Sequence, residues 1–138
     1  MTAARKIKAR LYARLLAMPV PLYLFGFNGM VRHTYILKGR RIQPADYGTA
    51  MAWAARKMGA PYPTVHLWRT RAGGYVVSTI FLVTDHGFHG RPVLFETMHR
   101  PANNPNGWGG GRRYYDYDSA RAGHRDFVNR FRRIRQVP

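Results

Sequence analysis

Histidines and carboxylates concentrate in and after one stretch of the sequence, the residues from 75 to 99. Asp85 and His86 lie near its middle, and Glu96 lies near its end. His124 follows later, within a helical pattern. Imidazole and carboxylate groups can bind a divalent metal ion, or they can act together as a general acid and base. If these four side chains converge, the chain is a small metal-dependent nuclease.

The same four residues also fit a structural role. A histidine on an apolar helix face, such as His124, is more often a hydrogen-bonded core residue than a metal ligand, and Glu96 can pair with a nearby arginine or with His124. The spacing matches no compact metal motif such as His-Glu-x-x-His. The chain has no cysteine, which excludes thiolate metal sites and thiol nucleophiles. We therefore expect a binding protein rather than an enzyme, with no metal and no cofactor.

Lysine and arginine form the second group of side chains that could carry a function. The sequence has 23 of them against 6 acids, which gives a formal net charge of +17. Residues 1–41 carry nine basic residues and no acid, and residues 101–138 carry eight basic residues and three acids. Such an excess repels itself in a compact fold and favours a polyanionic partner. Nucleic acid or a nucleoprotein complex is the favoured partner, an acidic host protein is the alternative, and a membrane surface is less favoured.

The predicted nucleic-acid interface combines basic helix faces with an aromatic loop. The segment PANNPNGWGGGRR at 101–113 is rich in Asn, Gly and Pro and is predicted to be a loop. An aromatic ring among cations can stack on bases while the cations hold phosphates, although Trp108 could equally fold back onto the core. The predicted interface residues are Arg5, Lys6, Lys8, Arg10, Arg14, Lys38, Arg40, Arg41, Trp108, Arg112, Arg113, Arg121, Arg125, Arg132 and Arg133.

A β-hairpin is the element that must position the histidines and carboxylates. Tyr75–Thr84 and Pro92–His99 are rich in β-branched and aromatic residues, and they flank the turn-forming segment Asp85–Arg91. The first of these runs is apolar on both faces, which is typical of a central strand. Thr64–Arg71 alternates and is joined to Tyr75 by two glycines, so the sequence predicts an antiparallel meander over Thr64–Arg100.

Three helices and one further strand are predicted around this sheet. A basic amphipathic helix over Thr2–Met18 is followed by the proline-broken apolar run Val20–Phe27 and by a short strand over Thr34–Leu37. The second helix starts near Pro44, ends before Gly59 and packs on the sheet. Its predicted packing face consists of Tyr47, Ala50, Met51, Ala54, Ala55 and Met58. The third is capped by Asp118 or Ser119 and runs to about Arg135, with an apolar stripe of Ala120, His124, Phe127, Phe131 and Ile134.

Together these elements predict one α+β domain over residues 1–138. It consists of a basic helix (1–18), a basic connecting segment (19–41) and an α+β core (42–138), in which helices cover a three- to four-stranded antiparallel sheet. Val20–Phe27 is too short and too broken to span a bilayer. It lacks the cleavage site of a secretory signal. The expected location is the cytoplasm of a bacterial cell.

Two segments, VSTIFLVTDHGFHGRPVLFETM at Val77–Met98 and YYDYDSARAGH at Tyr114–His124, resemble a family of small proteins encoded by tailed bacteriophages of actinobacteria. The resemblance implies phage or mobile-element origin and no particular activity. Small proteins of such origin often bind host machinery, including defence complexes built on nucleic acid such as CRISPR. In an alternative role, the chain is a structural protein of a phage particle and Val20–Phe27 lies in a subunit contact. The matching positions are Ser78, Thr79, Asp85, His86, Phe88, Phe95, Glu96, Thr97, Met98, Gly123 and His124.

Overall fold

The structure, a computed structural model, describes residues 34–59, 64–85 and 90–134. The predicted N-terminal helix and the run Val20–Phe27 lie outside these residues. The described elements are β1 (Thr34–Lys38), β2 (Arg41–Ala45), α1 (Tyr47–Met58), β3 (Thr64–Ala72), β4 (Tyr75–Leu82), β5 (Phe95–Pro101), β6 (Gly109–Tyr114) and α2 (Tyr117–Ile134). The predicted α+β class with an antiparallel sheet is confirmed.

The first of two compact units contains β1, β2 and α1, together with residues 83–85. β1 and β2 pair in antiparallel fashion, with Lys38 opposite Arg41. The tight turn between them places Gly39 at a φ of 61°, a left-handed conformation that favours glycine. The strand predicted over Thr34–Leu37 is confirmed, whereas its partner β2 was not predicted.

Helix α1 begins later than the sequence predicts. Pro44 lies in β2 rather than at the helix start, and proline fits there because β2 pairs on one side only. The Asp46 carboxylate accepts hydrogen bonds from the backbone N–H and the hydroxyl of Thr49, at 2.9 and 2.8 Å. This cap satisfies a backbone N–H at the first turn and fixes the start of the helix. The helix ends, as predicted, before Gly59, whose φ is 73°.

The buried side of α1 is largely the predicted one. Ala50, Met51, Ala54 and Ala55 are buried, and the helix packs on β1 within the same unit. Tyr47 was predicted on this side, but its side chain is 38% exposed. A helix face rich in alanine allows close approach to a strand.

The second compact unit contains β3 from His66 onward, β4, β5, β6 and α2. Its four strands form a sheet in the order β3-β4-β5-β6, which confirms the predicted meander. The turn between β3 and β4 uses Gly73 and Gly74 at φ values of 56° and 82°, as a two-residue hairpin turn requires. β4 is the most deeply buried strand, in agreement with its predicted central position.

The predicted loop at 101–113 is in part a strand. Residues 109–114 form β6, which pairs with β5 so that Glu96 lies opposite Arg113. A glycine-rich strand is hard to recognise from the sequence, because glycine has no side chain that could alternate between the two faces of a sheet. Here they serve close packing: a Cβ on Gly111 would lie 2.5 Å from the Thr97 carbonyl oxygen. The pairing with β5, and not the local sequence, makes this segment a strand.

Helix α2 covers one face of the sheet and contacts β4, β5 and β6. Its cap is Asp116, and not Asp118 or Ser119 as predicted. The Asp116 carboxylate accepts hydrogen bonds from the backbone N–H of Ser119 at 2.8 Å and from its hydroxyl at 3.1 Å. Asp116, Asp118 and Ser119 can each cap a helix, because all three side chains carry an oxygen that accepts a backbone N–H. The path of the backbone into the helix decides which of them does so.

The core between α2 and the sheet includes a cluster of Ala72, Val77, Val128 and Phe131. Tyr75 stacks on Phe131 with 4.3 Å between ring centroids. Of the predicted apolar stripe, Ala120, His124 and Phe131 are buried and Phe127 is half-buried. Ile134 is 53% exposed, so its predicted burial is wrong. It is the last residue of the helix, where the covered part of the sheet ends.

Candidate nucleic-acid interface

A row of arginines lies along the exposed surface of α2. Arg121, Arg125 and Arg132 are separated by four and seven residues, a spacing that places them on one flank of a helix. Arg125 and Arg132 are exposed and Arg121 is half-buried, and exposed Arg133 lies beside Arg132. At 1.5 Å per residue the row spans about 16 Å, the axial length of about five phosphates on one strand of B-DNA.

Another arginine of α2 lies apart from this row. The guanidinium of Arg130 lies 5.3 Å from the centroid of the Phe127 ring, three residues earlier on the helix. A cation over an aromatic face is attracted to the ring, which holds Arg130 on the opposite flank. The row is therefore defined by Arg121, Arg125 and Arg132, and Arg133 is exposed on the next part of the helix surface, between this row and Arg130. These four arginines are the ones that the sequence predicts for the interface on this helix.

Trp108, the predicted aromatic residue of the interface, contacts two arginines. The guanidinium carbon of Arg100 lies 5.2 Å from the centroid of its ring, and that of Arg69 lies 5.8 Å away. Trp108 is half-buried, Arg100 is half-buried and Arg69 is exposed. We call these three residues the Trp108 cluster. The indole ring folds back onto the sheet and lies among cations.

The Trp108 cluster lies on the sheet face opposite α2. On β5, Thr97 and His99 point toward α2, so the intervening Met98 and the next residue, Arg100, point away. On β3, Trp68 and Thr70 contact residues of α2, so Arg69 between them points away as well. β3 and β5 are the two neighbours of β4. A ring that contacts side chains from both of them lies across β4.

Hydrogen bonds organise the loop that carries Trp108. The backbone N–H of Ala102 donates to the carbonyl of Gly74 at 2.8 Å, which ties the loop to the β3–β4 turn. Arg100 donates through Nη1 to the carbonyls of Pro101 and Ala102, at 3.1 and 3.3 Å. Asn104 accepts the backbone N–H of Asn106 on its side-chain oxygen at 3.2 Å. These bonds constrain the Arg100 guanidinium and the first part of the loop that leads to Trp108.

The two arginines of β6 have different surroundings. Arg113 donates through Nε to the Glu96 carboxylate at 3.2 Å, on the face opposite α2. Arg112 is exposed and lies opposite Thr97 in the strand pairing. The structure therefore assigns Glu96 to an ion pair with its cross-strand neighbour, one of the arrangements that the sequence suggests. Arg112 extends from the outer strand of the sheet.

The remaining predicted interface residues lie elsewhere. Lys38, Arg40 and Arg41 are exposed at the tip of the β1–β2 hairpin, in the first compact unit. The tight turn brings these cations together at one end of that small sheet. The residues predicted in the N-terminal helix lie outside the described residues, and they are Arg5, Lys6, Lys8, Arg10 and Arg14.

His124, a candidate catalytic residue, is part of a buried hydrogen-bond network. Its Nδ1 lies 2.8 Å from the Thr79 hydroxyl, and its Nε2 lies 2.9 Å from the Thr70 hydroxyl. Thr79 in turn contacts the hydroxyl of Thr97 at 2.6 Å. His124 is only 6% exposed, and burial lowers the pKa of its imidazole below 6.5. Both ring nitrogens are thus occupied by hydroxyl groups of the sheet.

Two members of the predicted acid–base set, His124 and Glu96, do not lie together. Glu96 points to the sheet face opposite His124, because Thr97 next to it points toward His124. Asp85 belongs to the first compact unit, where burial and the charge of Asp85 raise the pKa of Tyr35. His86 lies outside the described residues. Across residues 34–59, 64–85 and 90–134, no three His, Asp or Glu side chains are grouped closely enough to hold a metal ion.

Sequence reasoning did not single out Arg69 and Arg100, the two arginines that contact Trp108. They are far apart in sequence, and only the strand pairing places them on the same sheet face. The sequence indicates part of this placement. The alternation of TVHLWRTR and the two-glycine turn to Tyr75 fix the register of β3 against β4, and thus the face on which Arg69 lies. The position of Trp108 could not be deduced from its glycine-rich surroundings.

Comparison of the chain with protein-family models, with curated proteins and with solved structures found no match in any of the three. No helix within the described ranges is both long enough and apolar enough to cross a lipid bilayer.

Proposed function

We propose that this protein binds nucleic acid, free or within a nucleoprotein complex, without catalysing its cleavage. The observation that carries the proposal is the row Arg121, Arg125 and Arg132 on α2, with Arg133 exposed beside it. Guanidinium groups aligned on one flank of a helix suit phosphate oxygens, which they bind through charge-assisted hydrogen bonds. The packing of α2 on the sheet supports this use of its outer flank, because a rigid helix holds the charges at fixed distances.

The few acids of the chain leave most of its positive charge uncompensated. Asp46 and Asp116 accept hydrogen bonds at helix starts, and Asp116 also lies 3.7 Å from Arg91. Glu96 pairs with Arg113. With 23 basic residues against 6 acids, at least seventeen cations lack an acid of their own. A polyanion whose phosphates carry one charge each is the partner that compensates such an excess.

The proposed biological role follows from the resemblance to proteins of tailed bacteriophages. A basic phage protein that binds nucleic acid in the cytoplasm of its host meets defence complexes built on RNA and DNA. We propose that the protein acts there as an inhibitor of such a complex, CRISPR among them. The nuclease alternative gains no support from His124 and Glu96, since they lie on opposite faces of the sheet.

A binding titration tests the proposed function. Labelled duplex DNA, single-stranded DNA and RNA are titrated with the pure protein at low salt, with Mg²⁺ or Mn²⁺ added in parallel and the products separated on a gel. Binding of intact nucleic acid is expected in both conditions. Cleavage products that require the metal ion would contradict binding without catalysis. Absence of binding to all three probes would overturn the proposal and favour an acidic protein as the partner.

A further inference from the structure

We infer that the Trp108 cluster is a binding site for single-stranded nucleic acid, separate from the phosphate-binding row on α2. The inference rests on the proposed nucleic-acid binding and adds the substrate class. Its basis is the contact of one indole ring, that of Trp108, with two guanidinium groups, those of Arg100 and Arg69, which lie 5.2 and 5.8 Å from the ring centroid. An aromatic ring stacks on an unpaired base of any sequence, and bases also stack on guanidinium planes.

The charges on this sheet face match a phosphate backbone. Arg69 and Arg71 on β3, Arg100 on β5 and Arg113 on β6 are all on the face opposite α2, where Glu96 is the acid that the described strands contribute. Glu96 pairs with Arg113, whereas Arg69 and Arg71 are exposed and can bind phosphates. Arg100 donates to two carbonyls through Nη1, which leaves its Nη2 for a phosphate. Because Arg69 and Arg100 belong to strands on either side of β4, phosphates on both sides of a stacked base could be bound.

The site is organised before binding. Arg100 is held by two backbone carbonyls, and the loop that carries Trp108 is tied to the β3–β4 turn through Ala102. A preorganised site loses less conformational entropy when its ligand is ordered on it. A duplex offers no unpaired base, since its bases are stacked within the helix. The Trp108 cluster is therefore expected to distinguish single strands from duplexes, whereas the α2 row contacts the phosphates of both.

The test compares single-strand and duplex affinity in variants of Trp108. The probes are labelled oligothymidylate and a labelled DNA duplex at one salt concentration. Trp108→Leu keeps an apolar side chain over the sheet but removes the stacking surface, and Trp108→Tyr keeps an aromatic ring. We expect the leucine variant to bind oligothymidylate about ten-fold more weakly, within the range for loss of one stacked base. Its duplex affinity should stay at the wild-type value, and the tyrosine variant should retain most single-strand affinity.

Arginine variants provide the matched control. Arg69→Gln and Arg71→Gln remove the same charge from the same strand and the same face, but only Arg69 contacts the indole ring. A larger loss of oligothymidylate affinity is expected for Arg69→Gln than for Arg71→Gln. Equal losses would mean that general charge, and not the cluster, determines binding, and they would overturn the inference.

The outcomes separate this inference from the proposed function. A wild-type protein that binds neither probe overturns both. A wild-type protein that binds both probes, with Trp108→Leu unchanged on oligothymidylate, leaves nucleic-acid binding in place and overturns only the single-strand site. An equal loss on both probes, accompanied by a lower melting temperature, assigns Trp108 to the folding of the sheet and also overturns the site. Selective loss of single-strand binding at an unchanged melting temperature supports it.

Discussion

A chain of hydrogen bonds among four side chains links α2 to the sheet at its centre. Thr97, Thr79, His124 and Thr70 follow one another at 2.6, 2.8 and 2.9 Å, and they connect β5, β4, α2 and β3. Buried polar groups are costly unless they are satisfied, so a complete chain of this kind selects one packing of the helix over alternatives. The network gives His124 a structural role in holding the second unit together.

Removal of the central hydroxyl should destabilise the protein. Thr79→Val keeps the shape of the side chain but leaves His124 Nδ1 and the Thr97 hydroxyl without their partner, at a cost of about 1–3 kcal/mol in the free energy of unfolding. Ser78→Ala is the matched control, because Ser78 is also buried but its hydroxyl has no hydrogen-bond partner among the described residues. That variant should be neutral or slightly stabilising in urea unfolding. Similar losses in the two variants would contradict the role of the network.

Acidification should weaken the fold through His124. Burial lowers the pKa of its imidazole below 6.5, so the folded state binds a proton less readily than the unfolded state. The resulting stability is fully present above pH 6.5 and is lost as the pH falls from there through the folded pKa. Urea unfolding at several pH values across this window should give a steeper decline for the wild type than for His124→Gln, whose amide does not titrate.

A second histidine, His66, has to be considered when the wild type is compared with His124→Gln. Burial and the charge of Arg69 lower the pKa of His66 too, so His66 contributes to the decline in the same direction. It is present in both proteins and cancels in the difference. If the wild type and His124→Gln decline in parallel, the buried imidazole does not control acid stability.

At the scale of elements, α2 can approach the sheet closely because residue 123 is a glycine, which has no side chain. A Cβ on Gly123 would overlap the hydroxyl and ring of Tyr114, the last residue of β6. Gly123 is buried in the middle of α2, where glycine is otherwise unfavourable. Close helix–strand contact at this point explains why glycine is present despite its low helix propensity.

Gly123→Ala should therefore destabilise the protein by about 1–3 kcal/mol through overpacking. Helix propensity alone predicts the opposite, a gain of about 1 kcal/mol. The control is Ala122→Gly at the exposed neighbouring position, which should cost about 1 kcal/mol from propensity only. Thermal and urea unfolding of both variants measure these effects. A Gly123→Ala variant more stable than the wild type would refute the close contact between α2 and Tyr114.

Helices, strands and turns could be predicted from the sequence where their own residues show a hydrophobic or turn-forming pattern. The apolar β4, the two-glycine turn and the apolar stripe of α2 have this property, and the meander and the helix follow from them. β2 contains a proline and β6 begins with three glycines, so neither carries a pattern of its own. Their partners β1 and β5 hold them in place by backbone pairing. The start of α2 was missed for a related reason, since Asp116, Asp118 and Ser119 have equivalent capping chemistry.

The candidate interface, like the fold, could be predicted only where its residues follow a local sequence pattern. Arginines at helical spacing on α2 could be placed on its exposed side from periodicity alone. The contact of Arg69 and Arg100 with one indole ring requires the register of three strands and the path of a glycine-rich loop. Local sequence does not determine that combination.

For the whole molecule, positive charge is the property that most strongly constrains function. A net charge of +17 on 138 residues attracts polyanions in general, so binding by itself does not identify an interface. The specific claim is that fixed arginines on α2 contact phosphates. Each such contact releases counterions, which makes the salt dependence of affinity a count of the phosphates that are neutralised.

The most direct test of this claim is the salt dependence of duplex binding by the wild type and by a variant with Arg121, Arg125 and Arg132 all changed to Gln. Glutamine preserves helix propensity, so the melting temperature should not change. The logarithm of affinity should fall linearly with the logarithm of salt concentration, and the variant's slope should be shallower by about 0.9 for each lost phosphate contact. Arg56→Gln with Lys57→Gln, on exposed positions of α1, is the control and should change the slope less. An unchanged slope in the α2 variant, or a melting temperature that falls in step with affinity, would contradict the account.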